Sequence, residues 1–380
     1  MKKKTILLIA LISMAFSTQV SALWTNKTMS FGGLTRSYRI YVSAYYNASN
    51  PASLIIALHG MGDNMTNFSG IGLNYIADTA NIICIFPQAV TDPYAGTAWN
   101  SGAGASGYFP NASVNDVGFI NALMDTAIAN YAIDQSRIYL CGFSLGGFMT
   151  ERMALQSNTR IAAFGSMSGT IGNGISTLAP GRSVPIAHFH GTADGTVPYS
   201  GNTYGLDTDS LISFWVLNNG CNPTPTTYSY PDAVADNITI ERFEYSNGNP
   251  QSDVWLFKMT GADHNVLFSP SNDINEIVEL WLFLRRHSLA SSGISQQAEI
   301  FENIQIFPNP ANGKVTVSGL PTGNSENTVL SVYNIQGKLM LQQTVQQPTT
   351  GIDISGLANG TYLLKLKNGN NSAVRAIVKE

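Results

Sequence analysis

Up to His287 the chain is organised by short, unbroken apolar runs. Leu54-Ile55-Ile56-Ala57-Leu58 leads into His59-Gly60-Met61-Gly62, and Ile82 to Phe86 stops at Pro87. Ile138-Tyr139-Leu140-Cys141 meets Gly142, Ile186 to Phe189 meets His190-Gly191, and Val254 to Met259 meets Thr260-Gly261. Runs of this length without polar alternation predict strands buried on both faces, the habit of a parallel sheet. Thr35 to Val42 behaves differently: Tyr38, Ile40 and Val42 alternate with Ser37, Arg39 and Tyr41, which predicts a half-exposed strand. A further strand is predicted near Ile238 to Phe243.

Between these runs the period changes. From Asp116 to Tyr131, Ile120, Leu123, Met124, Ala127, Ile128 and Tyr131 fall on one helical face. Helices are also predicted over Phe68 to Ala80, Phe148 to Gln156, Ser210 to Asn219 and Asp273 to His287. Asp209 is the expected N-cap of the 210–219 helix and Gly220 its stop. Strands alternating with helices predict an α/β fold, a mostly parallel sheet with helices on both faces.

After His287 the texture changes. Ser288 to Ala298 is small and polar, and from Phe301 the chain alternates in short segments with turn signals at Asn312-Gly313, Gly337 and Asn359-Gly360. The expected organisation is an N-terminal segment 1–22, an α/β domain 23–289, a linker 290–300 and a small all-β domain 301–380.

Composition narrows the partners. Only 12% of residues are charged and the formal net charge is −4, which argues against nucleic acid and against anionic membranes. Lys2-Lys3-Lys4, the apolar run Ile6 to Phe16 and the small-residue site Val20-Ser21-Ala22 read as an export signal. Cys84 and Cys141 sit in strands expected to flank the one ending at His59, and Cys221 has no obvious mate, so three free thiols are expected.

The candidate chemistry centres on Gly142-Phe143-Ser144-Leu145-Gly146-Gly147. An apolar strand, a Gly-x-Ser-x-Gly turn and a helix predict a nucleophile elbow, with Ser144 held above the sheet. A serine nucleophile needs a base, an orienting acid and an oxyanion hole. His264 follows a strand and precedes the last helix, the place of the base in the order Ser, acid, His. Asp194, in the turn after the 186–189 strand, is the candidate acid; Asp207 and Asp209 read as loop and cap residues, and Asp263 adjoins His264 too closely to reach its ring. The backbone N–H groups of Leu145 and Met61 are the candidate oxyanion donors. His59, His188 and His190 are expected to hydrogen-bond structurally. The long loop 90–114 carries Trp99, which either walls a substrate or packs over the sheet. Histidines and cysteines show no metal-ligand spacing and no phosphate-binding glycine loop is present, so neither metal nor cofactor is expected.

With those residues in hand, 23 to about 289 resembles the α/β-hydrolase family of secreted polyhydroxybutyrate depolymerase-like and feruloyl esterase-like enzymes. Leu58-His59-Gly60, Phe86-Pro87-Gln88, Trp99-Asn100, Asp116-Val117-Gly118-Phe119, the elbow, His190-Gly191-Thr192-Ala193-Asp194 and Asp263-His264 carry the likeness in the family's order. The resemblance implies a Ser144–His264–Asp194 triad cleaving carboxylic esters, either of polyester oligomers or of acylated polysaccharide. Phe307-Pro308-Asn309-Pro310, Val332 to Lys338, Leu357 to Tyr362 and the ending Ile377-Val378-Lys379-Glu380 resemble a type A sorting domain of the type IX secretion system. That likeness implies the secretion machinery as a partner. A catalytically dead scaffold used for binding and, more distantly, a peptidase of similar fold are the other readings.

Overall fold

Every residue of the strand Ala52–Leu58 is buried, and its side chains divide by parity between two cores. In the computed structural model Leu54, Ile56 and Leu58 join one apolar cluster, while Ile55 and Ala57 join the other. This is the period-2 signature of a strand covered on both faces. The structure describes residues 23–289 apart from 202 and 250–251, and residues 301–380 apart from 302–303, 322–326, 335–337 and 369–370. The expected export signal and linker lie outside the described residues.

The strands of residues 23–289, in chain order, are β1 (Leu23–Phe31), β2 (Leu34–Val42), β3 (Ala52–Leu58), β4 (Ile82–Pro87), β5 (Val90–Asp92), β6 (Gly96–Ala98), β7 (Ile133–Phe143), β8 (Ala163–Met167), β9 (Ile186–Gly191), β10 (Thr226–Ser229), β11 (Thr239–Tyr245) and β12 (Val254–Thr260). All but β5 and β6 form one sheet in the order β1-β2-β4-β3-β7-β8-β9-β12-β11-β10. The stretch from β4 to β12 is parallel, and antiparallel strands close both edges. β3 lies between β4 and β7, so Cys84 and Cys141 are kept apart, and all three cysteines are free and buried.

The helices are α1 (Met65–Phe68), α2 (Leu73–Ala80), α3 (Asp116–Asn130), α4 (Leu145–Gln156), α5 (Thr208–Asn219) and α6 (Glu276–Leu284). Phe119 and Leu123 of α3, Phe148 and Met153 of α4, and Phe214 and Trp215 of α5 pack on the face of Leu54 and Ile56. Leu73 of α2 and Leu280 and Phe283 of α6 pack on the opposite face.

Three helical expectations are corrected. The 68–80 helix is broken at Gly72, whose φ of +97° leaves the α-helical basin. The cap of α5 is Asp207, whose side chain accepts from Ser210 N, and Asp209 lies in the first turn. The last helix begins at Glu276, because Asn275 caps it with bonds to the N–H groups of Ile277 and Val278.

The C-terminal part is all-β. β13 (Gln305–Phe307), β14 (Lys314–Ser318) and β17 (Thr349–Asp353) form one antiparallel sheet. β15 (Thr328–Asn334), β16 (Leu339–Val345), β18 (Gly360–Asn368) and β19 (Asn371–Lys379) form another, in the order β16-β15-β18-β19. Val315, Val317 and Ile352 from the first sheet and Leu330, Leu364 and Ile377 from the second share one core.

Candidate active site

β7 ends at Phe143 and α4 begins at Leu145, so a single residue, Ser144, turns the chain. Its φ of +55° and ψ of −122° are a conformation that L residues rarely take, and a hydrogen bond from Ser144 N to Met167 O at 2.8 Å holds it. The turn closes only because Gly142 and Gly146, two residues to either side, lack side chains. A Cβ on Gly142 would lie 2.2 Å from the Gly146 carbonyl oxygen, and one on Gly146 would lie 2.1 Å from that of Leu58. Leu145, first in α4, carries one of the N–H groups that a helix start leaves without an intrahelical acceptor.

The structure brings Ser144, His264 and Asp194 together from the ends of β7, β12 and β9. His264 Nε2 is 2.9 Å from Ser144 Oγ, and His264 Nδ1 is 2.7 Å from Asp194 Oδ2. An ionised carboxylate only accepts, so Nδ1 carries the proton and Nε2 presents a lone pair to the serine hydroxyl. The Phe143 ring packs against the imidazole with centroids 4.9 Å apart.

Asp194 is buried, and burial alone would raise its carboxyl. Interactions with His190, with His264 and with Val197 N outweigh it and hold the group well below the usual carboxylate range. Oδ1 accepts from Thr196 N at 2.9 Å and Val197 N at 2.7 Å, which wraps a turn around the carboxylate and leaves Oδ2 for the histidine.

Asp263 is a residue whose part the sequence reading missed. Its side chain bonds backbone instead of the imidazole: Oδ1 accepts from His264 N at 2.8 Å and from Gly195 N at 3.2 Å. One carboxylate thus ties the base loop to the acid turn. Its closeness in sequence to His264, which argued against a ring contact, was the signal for a backbone one.

The loop after β3 runs beside the serine: a Cβ on Gly60 would lie 3.3 Å from Ser144 Cβ. That places the Gly60–Met61 backbone along the elbow, with the Met61 side chain exposed. His59 braces this loop. Nδ1–H donates to Gly60 O at 2.7 Å, which leaves Nε2 to accept from Ala89 N at 3.1 Å and Gln88 Nε2 at 3.2 Å. Burial pushes its pKa down, which favours the neutral ring this pattern requires.

Trp99 does not wall a substrate. It is fully buried, and its indole N–H donates to His59 O at 2.8 Å, so the residue packs under the loop and braces it. The exposed aromatics of the segment are Tyr94 and Tyr108, an edge-on pair with centroids 5.7 Å apart. Asp92 holds them: Tyr108 Oη–H and the backbone N–H groups of Tyr94, Ala95 and Asn111 all donate to its carboxylate. Arg152 of α4 reaches both Asn100 O and Asn100 Oδ1 at 2.6 Å, and Asp116 Oδ2 accepts from Asn100 N at 2.8 Å.

Among the described residues, the ligand-type side chains that gather in a group of three are Asp232, Asp236 and Asp273. Asp273 accepts from Ala233 N and Val234 N, and Asp236 from Ile238 N and Asn272 Nδ2. These bonds build the loop.

Residues 44–204 match the family model described as phospholipase/carboxylesterase, and residues 305–380 the one described as secretion system C-terminal sorting domain. A probable feruloyl esterase C of Aspergillus niger is 30% identical over 197 residues, covering 50% of this chain and 63% of its own length. A poly(3-hydroxyalkanoate) depolymerase C of Paucimonas lemoignei is 23% identical over 369 residues, 95% of this chain and 71% of its own. An acetyl xylan esterase from Aspergillus awamori superposes with a TM-score of 0.50 at 16% identity, over 68% of this chain and 98% of that one, a likeness of fold. The matches span between 33% and 64% of the lengths of the curated relatives that align first. Residues 44–204 are therefore similar to the phospholipase/carboxylesterase family and share the α/β-hydrolase fold, and residues 305–380 match the type IX sorting domain that addresses a chain to the cell surface or exterior.

Proposed function

We propose that this protein is an exported serine carboxylesterase, working through an acyl-enzyme on Ser144. The observation that carries the reading is the unbroken hydrogen-bonded line from Ser144 Oγ through His264 to Asp194, mounted on a strained elbow. Ser144 Oγ attacks the ester carbonyl while His264 Nε2 takes its proton. The N–H groups of Leu145 and Met61 receive the oxyanion. His264 returns the proton to the leaving alcohol, and water then repeats the sequence to release the acid. Asp194 keeps the proton on Nδ1 and steadies the imidazolium. The reading covers the unit 23–289, with 301–380 as a separate domain that engages the secretion machinery.

The substrate class we favour is an acyl ester of plant polysaccharide, feruloyl or acetyl, on the strength of the 30% identity to the Aspergillus niger protein. Polyester oligomers are the second reading, favoured by the 95% coverage of the chain in the Paucimonas lemoignei match.

The test has two steps. A fluorophosphonate probe should label the wild type at Ser144 and fail on Ser144→Ala, and the variant should lose hydrolysis of p-nitrophenyl acetate by about 10³-fold or more. Unaltered activity in the variant would overturn the serine assignment, and absence of labelling in the wild type would favour a binding scaffold. Methyl ferulate, acetylated xylan and a 3-hydroxybutyrate oligomer then separate the substrate readings.

A further inference from the structure

Behind Asp194 two more imidazoles lie further inward, hydrogen-bonded to each other and to the turn that holds the carboxylate. His188 and His190 are alternate residues of β9, both on the same face of the strand and both about 1% exposed. His188 Nε2 is 3.0 Å from His190 Nδ1, and Thr208 Oγ1, in the first turn of α5, is 3.1 Å from the same nitrogen. On its far side His190 Nε2 lies 2.7 Å from the Val197 carbonyl oxygen and 3.4 Å from Asp194 Oδ2.

These contacts fix one proton outright. A carbonyl oxygen only accepts, so His190 Nε2 must carry a hydrogen. In the neutral ring Nδ1 is then a lone pair, and His188 Nε2–H and the Thr208 hydroxyl donate to it. His188 Nδ1 is left without a partner among the described residues.

Val197 is the residue whose own N–H closes the turn on Asp194 Oδ1. His190 therefore grips the turn from its other side, by the Val197 carbonyl, and its Nε2–H lies 3.4 Å from Oδ2. We propose that His190 is a positioning residue for Asp194, locking the 194–197 turn so that Oδ2 stays aligned on His264 Nδ1. Its effect on rate rests on the triad proposed above; its tautomer and its grip on the turn do not.

Two experiments test it on the full chain. In the wild type, ¹⁵N NMR of the histidines should show His190 protonated at Nε2 and bare at Nδ1; the reverse tautomer would overturn the proposal whatever the activity. In the second, His190→Leu should lower kcat for p-nitrophenyl acetate about 10- to 100-fold with KM little changed, and weaken the low-field proton signal of the His264 Nδ1–H. His190→Gln, which can place an amide N–H near the position of Nε2, should recover part of that loss. A folded His190→Leu with wild-type kcat would overturn the positioning role. Should either variant fail to fold, the wild-type tautomer decides. An enzyme whose Ser144→Ala is also fully active would instead refute the triad.

Discussion

Leu267 and Glu276 exchange hydrogen bonds in both directions: Glu276 N donates to Leu267 O at 3.0 Å, and Leu267 N donates to Glu276 Oε1 at 2.8 Å. The pair clasps the segment just after His264 onto the start of α6. Glu276 is buried, and its Oε2 has no partner among the described residues. Burial pushes its carboxyl up to about 8, against the smaller opposing effect of the Leu267 N–H.

The sign of the pH effect follows. The folded chain keeps a proton that the unfolded chain loses near pH ~4.3. Stability from this group is full below that pH and is lost progressively as pH rises toward about 8. Glu276→Gln retains an acceptor for Leu267 N and cannot ionise. Between pH 5 and 8 the wild-type melting temperature should fall more steeply than that of the variant, reflecting a stability difference on the order of a few kcal/mol across the window. Parallel curves in thermal melts would show that Glu276 does not hold the proton.

Asp263 predicts a purely geometric defect. Asp263→Ala removes the acceptor shared by His264 N and Gly195 N. With the base loop freed from the acid turn, kcat for a small ester should drop about 10-fold while KM and the melting temperature change little. Steady-state kinetics with a melt on the same sample decides; a change confined to KM would count against it.

Gly146 and Gly60 should fail in different ways. A Cβ at 146 meets the Leu58 backbone oxygen at 2.1 Å, which no rotamer relieves, so Gly146→Ala should cost roughly 3 kcal/mol or more and sharply reduce soluble yield. A Cβ at 60 meets Ser144 Cβ at 3.3 Å, a contact that yields by a few tenths of an ångström. Gly60→Ala should fold and lose rate instead. Denaturant titration of both variants separates the outcomes.

Asp92 predicts a substrate-dependent effect. Asp92→Ala frees Tyr108 Oη and the N–H groups of Tyr94, Ala95 and Asn111. KM on acetylated xylan should rise several-fold, while kcat on p-nitrophenyl acetate stays within about 2-fold. An equal loss on both substrates would place the hub in the chemistry itself.

Where the sequence carried uniform apolar runs, the fold was legible: β3, β4, β7, β9 and β12 lie where predicted, because burial on both faces leaves no other composition. β8 was not seen, since Ala163-Phe164-Gly165-Ser166-Met167 mixes small and polar residues; Gly165 leaves room for the end of the Leu280 side chain, which would lie 2.1 Å from a Cβ there. The β5–β6 hairpin was hidden in a stretch that reads as loop. At the site, chain order and turn chemistry pointed to Ser144, Asp194 and His264, which the fold brings within hydrogen-bond reach. The Trp99 bond to His59 O and the reach of Asp263 to Gly195 N could not be read, because each joins residues at least 40 apart in sequence.

The segment between Trp99 and Asp116 is braced from outside itself. Arg152 grips Asn100, Asn173 Nδ2 donates to Gly104 O at 2.7 Å, Gly174 N donates to Gly102 O at 2.9 Å, and Asp116 meets Arg36 at 2.7 Å in a buried ion pair. Lifting it would break these bonds together and strand a buried charge. This segment is therefore held in place rather than free to lift, and it adds no slow opening step of its own to substrate exchange. Progress curves should start without a lag, and the rate should rise smoothly as an ester passes from solution into emulsion, with no interfacial activation.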